Sequence, residues 1–532
     1  MIPSGIPTKI IYMKLPIKTQ GLLVFILLPL LACSPQTKNK KKTPNILIAI
    51  ADDQSYPHTG IYGFAETQTP GFDYVAKNGV LFHNAFVAAP QCSPSRAAIL
   101  TGKNIWELEE AGTHASNFPK KFKVFTEILA EQGYFVGYTG KPWGPGNWQI
   151  SGRKQNPVGE GYNQHLLETP PTKGIRSNNY FKNFEEFYSK KTAENPFVFW
   201  FGSFEPHRVY EYQTGVKAGK SLDKVKVPKF LPDNEVVRND VLDYILEIEH
   251  FDKHLLQMIQ FLEEKEELEN TFIIVTADNG MPFPYAKANV QEFGTHVPLV
   301  ISMPQGIKGK EVHEPVGTID IAPTLMELVG NKDLMDTTGK SLMPVLTEME
   351  HPKHREYVLN GRERHTHARP DNLGYPARAI RTSKYLYVYN FIPDLWPQGD
   401  PVPKNPENDR RSKVSGFKAL YPGYHDVDAS PSKEVVMSMQ DTPYFDRAFA
   451  KRPKEQLYDI EKDPYCTQNI AMFPEYKQVL IQLKQQLLHD LKEQGDPRAS
   501  DNPIFDSYPR YSTMRNFPGF NLRGQYNQAF AR

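Results

Sequence analysis

Four apolar runs in this chain each lead into groups able to act as acids, bases or metal ligands. Residues 45–51 run into Asp52-Asp53, and residues 134–138 lead to Lys141. Residues 197–201 lead to Glu205-Pro206-His207, and residues 271–276 lead to Asp278-Asn279-Gly280. Asp52, Asp53, Asp278 and Asn279 supply hard oxygen donors with no thiolate or imidazole among them. That set suits Ca2+ or Mg2+ better than Zn2+. Asp52 and Asp278 could instead cap the helices that follow. Capping gives no reason for two adjacent acids at one strand end and an Asp-Asn pair at another, so the metal reading is preferred.

These groups need a scaffold that brings distant segments to one edge. The continuous apolar runs read as strands buried on both faces. Residues 297–301 read as a further strand, and residues 122–132, 241–264 and 320–329 as helices. Strands alternating with helices predict an α/β fold with a mostly parallel sheet flanked by helices. In such a sheet ligands bind at the carboxyl ends of the strands, where all four polar endings would meet. The Pro/Lys/His-rich stretch 348–355 marks a boundary. Beyond it, short strands at 379–381 and 385–389 and a helix at 476–494 predict a smaller part built on an antiparallel sheet, with an irregular tail. The expected division is 44–350 for the catalytic α/β part and 351–532 for the smaller part.

Charge is nearly balanced, with 62 Lys+Arg against 61 Asp+Glu, so nucleic acid is not an expected partner. Lys9, Lys14 and Lys18 precede an apolar run over 21–32. The run is too short to cross a hydrocarbon layer of about 30 Å as a helix, and it fits a secretory signal. It ends in Leu30-Leu31-Ala32-Cys33, which resembles the bacterial lipoprotein cleavage signal. The reading is a signal peptide over 1–32, a lipid on Cys33 that anchors the chain to a membrane, and a polar tether over 33–43. It implies export to the periplasm or the outer membrane. The bland alternative is an ordinary cleaved signal with Cys33 incidental. With only Cys33, Cys92 and Cys466, the chain is no disulfide scaffold.

Cys92-Ser93-Pro94-Ser95-Arg96, followed by Leu100-Thr101-Gly102, resembles the signature of the type I sulfatases. Asp52-Asp53, Lys141, His207 and Asp278-Asn279-Gly280 stand around it in that family's order. The resemblance spans about residues 44–475 and implies an alkaline-phosphatase-like fold. It also implies that a separate formylglycine-generating enzyme oxidises Cys92 to formylglycine. The cation, Ca2+ by resemblance with Mg2+ possible by ligand chemistry, would then be held by Asp52, Asp53, Asp278, Asn279 and the altered Cys92. Arg96 would hold the hydroxyls of formylglycine. Lys141 and Lys287 would neutralise sulfate oxygens, and His207 would protonate the leaving group. Within the family, Cys92–Ala97, Pro206-His207-Arg208 and Asp278–Pro284 resemble the heparan N-sulfatases, the N-sulfoglucosamine sulfohydrolases. The implied substrate is a sulfated glycan.

One departure stands out. Sulfatases commonly carry Gly-Lys-x-His, where this chain has Gly140-Lys141-Pro142-Trp143. Indole cannot shuttle a proton, so His114, His296, Lys141 or solvent must fill that place. A second cluster, Glu363, Arg364, His365 and His367, either lines the substrate mouth or is a solvated loop. Three rival functions remain at this point: an O-sulfatase on another glycan, a phosphodiester or phosphonate hydrolase, and a non-catalytic glycan-binding lipoprotein.

Overall fold

The computed structural model describes residues 9–16, 42–350, 352–369, 373–401, 416–417 and 423–511. The lipidation site Cys33 and the apolar run before it lie outside the described residues. No helix among the described residues is long and apolar enough to cross a membrane.

A nine-stranded sheet forms the centre. Its strands are β1 (Asn45–Ala51), β2 (Val80–Phe86), β3 (Phe135–Gly140), β4 (Glu160–Gly161), β5 (Phe197–Gly202), β6 (Thr271–Ala277), β7 (His296–Ser302), β8 (Lys310–Val312) and β9 (Val316–Gly317). They lie in the order β4-β3-β5-β1-β6-β7-β2-β8, with β9 also paired to β2. β7 runs antiparallel to both its neighbours, and every other pairing is parallel. The sheet is thus mostly parallel, as the apolar runs predict.

β1 shows why such a run is continuously apolar. Ile46, Ile48 and Ile50 enter one core cluster, while Leu47, Ala49 and Ala51 enter another on the opposite face. Successive side chains of a strand point to opposite faces, and here both faces are covered. Helix Glu235–Glu264 begins earlier than its apolar pattern suggests. Asn234 caps it by accepting from Val237 N, which sets its start ahead of the apolar stretch from Val241.

Register carries the chain ends of β1, β3, β5 and β6 to one edge. Ile50 pairs with Gly202, Ala51 with Ala277, and Gly140 with Gly202. Backbone bonds continue past the strands, from Asp52 N to Glu205 O (3.0 Å), Asp278 N to Ala51 O (3.1 Å) and Lys141 N to Gly202 O (2.6 Å). Gly202 is required there, because a Cβ on it would lie 1.9 Å from Lys141 O.

A four-stranded antiparallel sheet follows, in the order β10 (Tyr357–Arg362), β11 (Ala377–Thr382), β12 (Tyr385–Asn390) and β13 (Glu455–Asp459). Helix Lys477–Glu493 packs against β11 and β12. Ile380, Tyr387, Leu457, Leu487 and Leu491 share a core cluster with Ile46, Ile48 and Ile50. A buried ionic network reinforces this part. Glu363, just past β10, accepts from Arg378 Nη2 (2.8 Å) and Arg498 Nη2 (2.9 Å), and Arg378 Nε also donates to Asp496 (2.7 Å).

Removing one partner of a buried network strands the others. Glu363→Ala should therefore cost about 3–5 kcal/mol of stability, measured by denaturant unfolding, while the remaining folded protein keeps its affinity for substrate. A raised KM without lost stability would contradict this assignment.

Candidate active site

The site is a cavity of about 680 Å3 at the carboxyl edge of the large sheet. Asp52, Cys92, Lys141, Glu205 and His207 line it. Asp52 and Asp53 follow β1, Lys141 follows β3, the 205–207 segment follows β5, and Asp278-Asn279 follow β6. Cys92 begins helix Cys92–Thr101, every residue of which is buried. The exposed N–H groups of a helix start favour negative charge nearby.

Three carboxylates and three cations interlock here. Asp53 N donates to Asp278 Oδ1 (3.1 Å), which holds the two acids side by side. Arg96 Nε donates to Asp278 Oδ2 (2.7 Å), and its Nη1 donates to Lys141 O (2.8 Å). Lys141 Nζ donates to Asp52 Oδ2 (2.5 Å). Lys287 Nζ bonds Asp53 Oδ1 and lies 3.7 Å from Cys92 Sγ. Cys92 Sγ in turn lies 3.5 Å from Asp52 Oδ1.

Burial works against the charge on Asp52, but Lys141, His207 and Arg96 outweigh it and hold its carboxyl below the usual range. Burial would likewise discharge Lys287, yet Asp53, Cys92 and Asp52 raise its pKa above the ordinary lysine value. Burial pushes the Cys92 thiol up to about 12, despite Lys141 and Lys287. An unaltered Cys92 is therefore a neutral thiol and a poor nucleophile.

The donor set fits a hard divalent cation. Asp52, Asp53 and Asp278 each bring an oxygen within 4.8 Å of the others. Asp53 Oδ2 and Asn279 Oδ1 are buried and accept no hydrogen bond. Orphaned buried oxygens of this kind are costly unless something positive faces them. Oxygen-only donors match Ca2+ or Mg2+.

The histidines sort by position. His207 Nδ1 donates to Arg208 O (2.7 Å), which turns Nε2 toward Asp53 Oδ2 at 3.8 Å. His114 also lines the cavity, and the neighbouring Ala115 N donates to Ser93 Oγ (2.9 Å), next to Cys92. His114 Nδ1 donates to His365 O (3.0 Å), leaving Nε2 as an acceptor. Burial, then His365 and the nearby cations, hold His114 far below the usual imidazole range, so it is neutral. His296 lies elsewhere, stacked on Tyr56 and paired with Glu292. Trp143 packs edge-on against Phe118 and donates Nε1 to Ser93 O (3.1 Å), so it braces the start of helix Cys92–Thr101.

Of the second cluster, His365 lines the cavity and the others do not. Glu363 is committed to Arg378 and Arg498. Arg364 donates to Thr113 Oγ1 (3.2 Å) and Pro509 O (3.1 Å), and His367 is fully buried. Glu363, Arg364 and His367 therefore neither line the mouth nor form a solvated loop. The charges of Glu363 and Arg364 are met inside the protein, where burial demands partners. Thr366, beside His365, lines it too, as do Lys173, Arg176, Asp428 and Arg510, which the sequence does not single out. They sit in irregular loops, and only their charge could have drawn notice.

The chain matches known proteins along nearly all of its described length. The family model for sulfatases matches residues 44–331, and that for the C-terminal part of N-sulphoglucosamine sulphohydrolase matches residues 284–408. An ulvan-active sulfatase of Formosa agariphila is 28% identical over 465 residues, covering 85% of this chain and 81% of that protein. The human N-sulphoglucosamine sulphohydrolase is 25% identical over 501 residues, covering 85% and 91%. A solved structure of a protein bound to its substrate D-glucosamine-2-N,6-O-disulfate superposes with a TM-score of 0.58 at 18% identity, covering 87% of this chain and 99% of that one. Structural neighbours of this kind share the alkaline-phosphatase-like architecture of a mostly parallel sheet flanked by helices. With its Cys92-Ser93-Pro94-Ser95-Arg96 motif at the start of a buried helix and its acids gathered at one sheet edge, this chain belongs to the sulfatase family, the hydrolases of sulfate esters.

Proposed function

We propose that this protein removes sulfate from a sulfated carbohydrate, with N-sulfoglucosamine of the heparan type as the favoured substrate. The observation that carries the reading is the gathering of Cys92, Asp52, Lys141 and His207 around one cavity large enough for a sugar. The relatives named for N-sulphoglucosamine and the match of the C-terminal part support the favoured substrate. The ulvan-active relative supports the second reading, an O-sulfatase on another glycan.

Oxidised to formylglycine, position 92 supplies a hydrated aldehyde: one hydroxyl attacks sulfur, and the other lets the aldehyde reform and expel sulfate. A bound divalent cation, Ca2+ by preference, supplies charge withdrawal from the sulfate oxygens. Asp52, Asp53, Asp278 and Asn279 would hold it. Arg96, fixed by Asp278 and the carbonyl of Lys141, stays charged beside the hydroxyls of position 92. Lys141 and Lys287 present ammonium groups to the oxygens of the bound sulfate, as preorganised donors need no rearrangement during reaction. His207, with Nδ1 anchored on Arg208 O, offers a proton at Nε2 to the departing nitrogen or oxygen. His114 Nε2, a neutral acceptor on the same cavity, takes the proton from the hydroxyl of position 92 in the step that Trp143 cannot serve.

Three outcomes are expected. Adding Ca2+ at about 100 times its Kd should stabilise the folded protein by about 2.7 kcal/mol, seen as a rise in Tm that Asn279→Ala largely removes. No shift in the parent protein would count against the cation. Sulfate release should be faster from glucosamine N-sulfate than from 6-O-sulfated glucosamine or galactose, and far faster than phosphate release from matched esters. His207→Ala should lower kcat by about 10²–10⁴-fold. A preference for an O-sulfated sugar would move the assignment to the second reading, and a preference for phosphate esters would sink both.

A further inference from the structure

The cavity holds more space than a sulfate group needs, and its charges are unevenly committed. Lys141 is paired with Asp52. Arg208 makes two 2.7 Å bonds to Asp240 and donates Nε to Pro282 O (2.8 Å). Glu205 accepts from Tyr180 and Ser203 hydroxyls, each at 2.6 Å. Arg176 differs from all of these. Among the described residues its guanidinium has no ion-pair partner, and it lies over the Phe204 ring, 5.3 Å from the centroid. Lys173, three residues earlier, reaches only Glu211 at 3.9 Å, with its side chain 75% exposed.

The loop that carries these cations is firmly built. Thr172 Oγ1 accepts from Gly174 N (3.2 Å) and Ile175 N (3.1 Å). Ile175 is buried, and Leu167 N donates to Ser177 O (2.6 Å). Arg176 N donates to Glu205 Oε1 (2.9 Å), so a buried carboxylate two residues before His207 ties the loop to the end of β5. A Cβ on Gly174 would lie 2.5 Å from Val209 O, which shows how closely the loop approaches the cavity wall. A guanidinium stacked on an aromatic face keeps its N–H edge available, and that planar edge matches sulfate and carboxylate oxygens.

We propose that Arg176, with Lys173 beside it, forms a second anion subsite at the mouth of the catalytic cavity, selecting sugars that carry a further sulfate or carboxylate besides the sulfate removed. The proposal rests on the sulfatase reading and narrows its substrate class. The shared chemistry is a planar or tetrahedral oxyanion on the same sugar or its neighbour.

The test measures kcat/KM on three probes: glucosamine N-sulfate, glucosamine N,6-disulfate, and a disaccharide joining a uronate to glucosamine N-sulfate. The parent enzyme should favour at least one doubly charged probe over the singly charged one, and which one it favours identifies the second group. In Arg176→Gln that selectivity ratio should fall about tenfold, mostly through KM, and the parent's ratio should shrink as salt rises. Arg176→Lys should keep much of the ratio, and Lys173→Gln should lower it by a smaller factor. Arg176 is exposed, so these substitutions leave the core intact. A ratio unchanged in Arg176→Gln, or a parent enzyme indifferent to the second charge, would overturn the subsite while leaving the sulfatase reading in place. No sulfate release from any of the three probes would overturn the N-sulfoglucosamine assignment and this subsite with it.

Discussion

Everything in this molecule turns on keeping three carboxylates and three cations buried together at one sheet edge. Taking an ion out of water costs several kcal/mol even after relaxation, so Asp52, Asp53 and Asp278 persist only because Lys141, Lys287 and Arg96 meet them. No one segment could supply such a cluster. Its members come from the ends of β1, β3 and β6, from the start of helix Cys92–Thr101, and from the loop that follows Asp278-Asn279-Gly280. Pairing of β1 with β5 and β6, and of β5 with β3, fixes those ends to within a residue. A one-residue slip would move every side chain of a strand to the opposite face.

The same cluster accounts for the thiol. Cys92 sits among charges, yet burial dominates and keeps it protonated. A thiolate mechanism is thus disfavoured by the very packing that brings the charges close, which agrees with the proposal that Cys92 acts as formylglycine. Trp143 belongs to this logic as well. It gives up proton chemistry at its own position and braces the carbonyl of Ser93 instead. His114, brought in by a different loop, restores an acceptor on the same cavity. The antiparallel sheet and the segments around it are not a detachable appendage to the chemistry. His365, Thr366, Asp428 and Arg510 line the cavity, and Glu363, two residues before His365, pairs with the buried Arg378 and Arg498.

Much of the architecture was legible because buried parallel strands leave continuous apolar runs, and the polar residue that ends each run then stands out. Asp52-Asp53, Lys141, His207 and Asp278-Asn279 were found that way, and the structure gathers them at one edge. β2 escaped notice because His83 and Asn84 interrupt its apolar pattern, and the antiparallel direction of β7 is a matter of topology that no local pattern encodes. The inward placement of Glu363 and Arg364 is not legible for a different reason. A dense charged run usually signals a solvated face, and only contacts with Arg498, Tyr508 and Pro509, more than a hundred residues away, reveal that these side chains are internal. Arg176 and Asp428 sit in loops whose positions depend on the whole fold.

The most direct test of the account is mass spectrometry of the peptide spanning Cys92, taken from protein that releases sulfate. The account predicts a mass about 18 Da below that of the thiol form, as conversion of a Cys side chain to an aldehyde requires, and a release rate that follows the converted fraction. Full activity in protein whose Cys92 is entirely thiol would contradict it.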